Sequence, residues 1–197
     1  MTAPFEFAYE KMHVVYDGVA VTINDKRFPI EEITRLQRSL LLSQSPGSWG
    51  RLTANATVYA GDGTGVVTFV GNGQSEDWGP WRPYWDQFYE MVHDEIEARL
   101  IRNSLEQLMG GQTIELVSLT AKGRGRIAVN AEGFTPRRPF AKPTPWRSIS
   151  EVTSKVGVFE IHVPNASGKV KTHLTSVGVA EWDAWQFPLL WKVFHKR

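Results

Sequence analysis

Residues 81–100 read Trp81-Arg82-Pro83-Tyr84-Trp85-Asp86-Gln87-Phe88-Tyr89-Glu90-Met91-Val92-His93-Asp94-Glu95-Ile96-Glu97-Ala98-Arg99-Leu100. Apolar side chains recur at Trp81, Trp85, Phe88, Val92, Ile96 and Leu100, in steps of four and three. That is one face of a 3.6-residue helix, and it predicts a helix from Trp81 to Met109. Asp86, Glu90, Asp94 and Glu97 fall on the opposite face and are expected to meet water. Pro80 and Pro83 suit a first turn, where a missing N–H costs little, and Gly110-Gly111 supplies a stop.

On both sides of this helix the sequence is rich in strands. Val19, Val21 and Ile23 alternate with small or polar residues after the turn signal Asp17-Gly18. Phe28, Ile33, Leu36 and Leu40–Leu42 read as a strand that reopens at Phe28 and runs on. Leu52–Tyr59 and Val66–Val70 read as a hairpin around Gly61-Asp62-Gly63-Thr64-Gly65. That glycine-rich loop lacks the Lys-Ser/Thr of a phosphate-binding P-loop, so a turn is its reading. Beyond Gly111 come strands at Ile114–Leu119, Arg126–Val129, Val152–Val156, Val158–Val163 and Val170–Leu174. A last helix is expected from Val177 to Phe194, kinked at Pro188.

The two halves share three correspondences in the same order. Asp17-Gly18-Val19 matches Glu132-Gly133-Phe134. Pro29-Ile30-Glu31-Glu32-Ile33-Thr34-Arg35-Leu36 matches Pro145-Trp146-Arg147-Ser148-Ile149-Ser150-Glu151-Val152 as Pro-apolar-x-x-Ile-x-x-apolar. Trp85-Asp86 matches Trp182-Asp183. A duplicated unit is the reading, residues 1–110 and 111–197, in each of which short antiparallel strands curl into a small barrel or sandwich. The open side of such a unit needs a lid, and a helix with an aromatic stripe provides one.

This order of parts resembles the pleckstrin-homology-like fold, in particular its small bacterial versions and the related GRAM-type domains. The resemblance implies two pleckstrin-homology-like units, mainly β with α, each closed by a C-terminal helix. Such domains bind inositol phospholipids, peptides or other domains and are rarely catalytic. The resemblance therefore implies a binding or adaptor protein that docks a protein partner, with anionic phospholipid head groups or phosphate ligands on the second unit as the alternative. The chain departs from the family in the length of its first closing helix and in Pro188 within its second.

Charge is divided unevenly. Residues 1–110 hold nine Lys/Arg against fifteen Asp/Glu, and residues 111–197 hold thirteen against six, within a net charge of +1. The basic half supplies the anion-binding candidates Lys122, Arg124 and Arg126, spaced as Lys-x-Arg-x-Arg, joined by Arg137, Arg138, Lys142 and Arg147. Residues two apart on extended backbone share a face, and the intervening glycines let a phosphate approach backbone N–H groups. Asp86, Glu90, Asp94 and Glu97 are the candidates for docking a protein. Nucleic acid is a weaker reading, since no recognised motif accompanies Arg124, Arg126 and Trp146.

The absence of cysteine excludes disulfides, thiolate metal sites and cysteine nucleophiles. His13, His93, His162, His173 and His195 have no metal-ligand spacing, and no cofactor is expected. Carboxylates on a convex helix face lack a pocket to shift their pKa, so no catalytic residue is assigned. The first ten residues lack the basic and apolar regions of a signal peptide, and no stretch approaches the ~20 apolar residues of a membrane span. The expectation is a cytoplasmic protein, at most peripheral at a membrane.

Overall fold

The computed structural model describes residues 2–43, 51–61, 63–72, 79–116, 127–136, 141–155, 158–164, 171–178 and 183–196. The fold is mainly β with a few helices, and among the described residues its antiparallel sheets are all open. The chain divides into two compact units, Met1–Leu100 and Ile101–Arg197.

In the first unit, β1 (Phe5–Tyr9), β2 (Met12–Tyr16), β3 (Ala20–Ile23) and β4 (Lys26–Pro29) form a four-stranded meander. A 3-10 turn at Ile30–Glu32 follows, then a three-stranded meander of β5 (Ile33–Ser43), β6 (Arg51–Ala60) and β7 (Gly63–Asn72). The strand expected to run from Phe28 through Leu42 is therefore two strands in two sheets. Pro29 at extended dihedrals (φ −55°, ψ 132°) leads into the 3-10 turn, and the Ile33 N–H returns to the Ile30 carbonyl before extended backbone resumes. The glycine-rich stretch is a tight hairpin, with Ala60 paired to Gly63.

The second unit runs through the same order of parts. β8 (Ile114–Leu116), β9 (Ile127–Val129), β10 (Gly133–Pro136) and β11 (Thr144–Pro145) form a four-stranded sheet. A 3-10 turn at Trp146–Ser148 leads to β12 (Glu151–Lys155), β13 (Val158–Pro164) and β14 (Lys171–Gly178). Hydrogen bonds align the copies better than residue identity does. Asp17 N–H donates to the Ala20 carbonyl, and Asn130 N–H donates to that of Gly133. Ile30 N–H donates to the Val19 carbonyl at 2.9 Å, and Trp146 N–H to the Glu132 carbonyl at 3.0 Å. Ala20 pairs with Pro29 as Gly133 pairs with Pro145. The structural counterpart of Asp17 is thus Asn130, two residues before the Glu132 matched by sequence. The Pro-apolar-x-x-Ile match holds position by position through the turn. Trp182 lies outside the described residues.

The helical run begins at α1 (Arg82–Met91), with Pro83 in its first turn, passes through a π-helical segment at Val92–Glu97, and continues as α2 (Ala98–Met109). All six residues of the aromatic-aliphatic stripe are buried. Within the first unit Phe69 of β7 stacks on Trp81 at 5.5 Å and meets Trp85 edge-on at 6.1 Å, so the helix seals the inner face of the sheet. The run ends where the glycine pair stands. Gly111 takes φ +80°, with Gly111 N–H donating to Leu108 and Gln112 N–H to Gln107, a Schellman closure. The dividing line between units lies after Leu100 rather than at Gly110, because Ile101, Leu105 and Leu108 pack on the second unit's core.

Three expectations about helices are corrected. Glu97 is buried at 5% exposure instead of facing water. The π segment places an extra residue in the turn, with the Ala98 N–H reaching back five residues to His93, and this rotates Glu97 onto the inner side beside Ile96. The last helix, α3, spans only Phe187–Phe194; Val177 belongs to β14. Pro188 sits in the first turn of α3, where it interrupts no helical hydrogen bond and causes no kink. Phe187 packs against Phe134 at 5.2 Å and Trp146 at 5.4 Å, and Phe194 stacks on Trp146, so α3 covers the second core.

Two glycines mark places where strands approach too closely for a side chain. A Cβ on Gly65 would lie 2.6 Å from the Phe28 ring and 2.7 Å from Ile23, both in the core. One on Gly133 would lie 2.1 Å from the Thr144 carbonyl oxygen. Gly65→Ala should cost about 1–3 kcal/mol through overpacking, and Gly133→Ala more, since backbone cannot step aside as a side chain can. Denaturant unfolding followed by tryptophan fluorescence checks the order.

Candidate functional site

The second unit carries a half-open groove of about 670 Å³ at the corner between β9, β10 and β11. Its walls are the turn Asn130–Gly133 and the segment Pro143–Arg147, and Thr113, Ala128, Phe134, Thr135 and Phe194 complete the lining. The volume falls in the range of ligand sites, about 300–1,000 Å³. A shallower depression of about 480 Å³ adjoins it along Pro143–Pro145, Ser148, Val163 and Pro164.

The walls are held by backbone-directed bonds. The Asn130 side-chain oxygen accepts from the Glu132 N–H at 3.0 Å and the Gly133 N–H at 2.9 Å. Trp146 donates its indole N–H to the Asn130 carbonyl at 2.9 Å. Trp146 itself is 2% exposed, so it is a strut and not an open stacking face. Among the described residues, the charged groups that reach the groove are Arg147 and Glu132, both exposed. Arg147 makes no ion pair among the described residues.

The same corner of the first unit is bridged. Asp17 there takes the place of Asn130, and its carboxylate accepts from the Val19 and Ala20 N–H groups at 3.0 and 2.8 Å. Arg27, two residues before Pro29, donates to it at 2.6 Å. The residue two before Pro145 is Pro143, which carries no charge to span the gap. The Arg27 guanidinium, with the two backbone N–H groups, holds the Asp17 carboxyl down at about 2.

A second polar cluster surrounds the π segment of the first unit. Glu97 pairs with Arg38 of β5 and lies 3.1 Å from His93 Nδ1. Arg38 also lies over the Tyr89 ring, which stacks with His93. Arg99 donates to the Ile33 carbonyl, and burial lowers its pKa. These contacts tie the helical run to β5.

Of the expected anion-binding residues, Lys142 and Arg147 are exposed near one another in sequence, and Arg147 lines the groove. Lys122, Arg124, Arg126, Arg137 and Arg138 lie outside the described residues. Of the expected protein-docking residues, Asp86, Glu90 and Asp94 are exposed along the helix, with Asp86 3.5 Å from Arg82. Glu97 does not join them. Asn130, Glu132 and Pro143 were not among the expected site residues. The signal that points to them is the repeat itself, once Asp17 and Arg27 are known to form a pair that the second copy lacks.

No protein-family model matches the chain, and no curated protein matches it. Among the described residues no group of His, Asp and Glu is placed to hold a metal ion, and no helix is long and apolar enough to cross a membrane.

Two outcomes follow from the charges. Glu97→Lys should cost about 3–5 kcal/mol, because it buries a cation beside Arg38, whereas Asp94→Lys should stay within about 0.5 kcal/mol; thermal unfolding of the pair checks this. The Asp17 carboxyl, depressed below its ordinary 3.8, adds stability that is complete above about pH 4 and fades as pH falls toward about 2. A carbon-13 carboxyl titration should place its midpoint near 2, and Asp17→Asn should remove that part of the acid dependence while keeping the turn, as Asn130 does.

Proposed function

We propose that the chain is a tandem of pleckstrin-homology-like units acting as a non-catalytic adaptor in the cytoplasm, and that it docks a protein partner at the groove of its second unit. The resemblance to that family is supported by the order of parts in both units: strands, the Pro-apolar-x-x-Ile turn, strands, and a closing helix. The observation that carries the docking site is the unbridged corner. Where the first unit spends an ion pair on closure, the second leaves a groove walled, among the described residues, by prolines, a turn and the side chains of Glu132 and Arg147.

Charge favours a protein segment over a phosphorylated head group. Arg147 and Glu132 both reach the groove, so an anion carrying several charges would face a carboxylate as well as a guanidinium. A polypeptide, with its alternating N–H and C=O groups and mixed side chains, meets both signs without penalty. Anionic head groups remain the second reading because Lys142 and Arg147 are both exposed. Asp86, Glu90 and Asp94 offer a further docking face on the first unit.

The test rebuilds the first unit's ion pair in the second. Asn130→Asp with Pro143→Arg should bridge the groove while leaving the fold intact. Peptides selected from a random library on the wild-type chain should bind the double variant at least tenfold more weakly by calorimetry, a loss of about 1.4 kcal/mol. Equal binding to both proteins would remove the groove as the site. Salt-sensitive sedimentation with anionic vesicles, abolished by Lys142→Ala with Arg147→Ala, would favour the head-group reading instead.

A further inference from the structure

An open sheet edge offers unpaired N–H and C=O groups to any extended chain, so stable proteins usually blunt it with charge, proline, a bulge or brevity. Seven of the eight edge strands among the described residues carry such a device. β1 has five residues including Glu6, β4 carries Lys26, Arg27 and Pro29, and β5 has a register shift at Ile33/Arg35. β8 has three residues, β11 has two and ends in Pro145, and β12 carries Glu151 and Lys155. β14 carries Lys171 and faces a register shift on β13.

β7 is the exception. It is ten residues long, Gly-Thr-Gly-Val-Val-Thr-Phe-Val-Gly-Asn, with no charge and no proline, and it pairs with β6 without a register shift. Among the described residues it pairs on that side alone. Its burial alternates strictly: Thr64, Val66, Thr68 and Val70 are exposed, while Gly65, Val67 and Phe69 are buried. Val66 and Val70 are 48% and 38% exposed, two of the few large apolar residues left in water. Lys26 reaches over Gly63, which leaves Thr64–Val70 as the open stretch.

We infer that β7 pairs antiparallel with β7 of a second copy of this chain. The strand is complementary to itself about Val67. In that register Thr64 meets the partner strand's Val70, Val66 meets Thr68, and Gly65 meets Phe69, so a residue without a side chain stands opposite the bulkiest one. Valine and threonine, both β-branched, then meet on the outer face as favourable cross-strand pairs. No like charges are brought together, because the strand has none. A strand that receives foreign peptides reads them through pockets for alternate side chains. The inner positions of β7 are already filled by the unit's own core, which suits a copy whose matching residues are buried in its own interior.

Light scattering coupled to gel filtration tests this on the full chain. The wild type should show the mass of two chains at high concentration and move toward one on dilution. Val66→Lys with Val70→Lys should show the mass of one chain at every concentration and leave the circular dichroism spectrum unchanged, since both positions face water. Hydrogen exchange supplies a readout that needs no variant: the alternate β7 amides that point away from β6 should lose protection on dilution in the wild type, while those bonded to β6 keep theirs. A wild-type chain of single-chain mass at its highest concentration overturns the inference. So does a folded double variant that stays dimeric, or β7 protection that ignores concentration.

Discussion

One backbone hydrogen bond fixes how each unit is assembled. The N–H of the apolar residue after the proline reaches across to a carbonyl in the turn before the third strand, Ile30 to Val19 in one copy and Trp146 to Glu132 in the other. That bond pins the end of the four-stranded meander and directs the chain, through a single 3-10 turn, into a separate three-stranded one. Both sheets then present apolar faces that water cannot wet without cost, and a helix bearing aromatic residues becomes obligatory. Removing the corner would leave a long strand with nowhere to turn.

Given the corner, the differences between the copies become readable as chemistry. Both turns are closed by a side-chain oxygen that accepts two backbone N–H groups, a role that Asp17 and Asn130 fill equally well. Only a carboxylate can also hold a guanidinium, so Asp17 with Arg27 makes a clamp where Asn130 with Pro143 leaves space. The connection between the third and fourth strands is also three residues longer in the second unit, as Gly133–Pro145 set against Ala20–Pro29 shows. The groove therefore owes its existence to two substitutions and a short insertion on a shared frame.

Much of this frame was legible in the residues, and the failures have identifiable causes. The helical stripe from Trp81 to Leu100 was readable because burial enforces a period, and all six positions are buried. The Pro-apolar-x-x-Ile turn was readable because proline restricts φ and the isoleucine must return to a core. Glu97 was misplaced because a π segment breaks the period locally, and no residue type announces one. The pairing of Asp17 with Glu132 failed because like residue types were matched, whereas the turn demands an oxygen acceptor at a set distance from the strand, which Asn130 provides. The groove was invisible because its signal is an ion pair missing from one copy, and that requires knowing the pair in the other.

The brevity of α3 has a kinetic consequence. An eight-residue helix is far below the length at which a helix survives alone in water, about 12–15 residues even for favourable sequences. Pro188 lowers the entropy of its unfolded form but adds no hydrogen bond. The segment becomes helical only on a seat of Phe134 and Trp146 that the strands have already built. Closure of the second unit is thus a late step in folding, and any nascent chain halted before Phe187 would carry an uncovered aromatic floor that invites chaperones or aggregation.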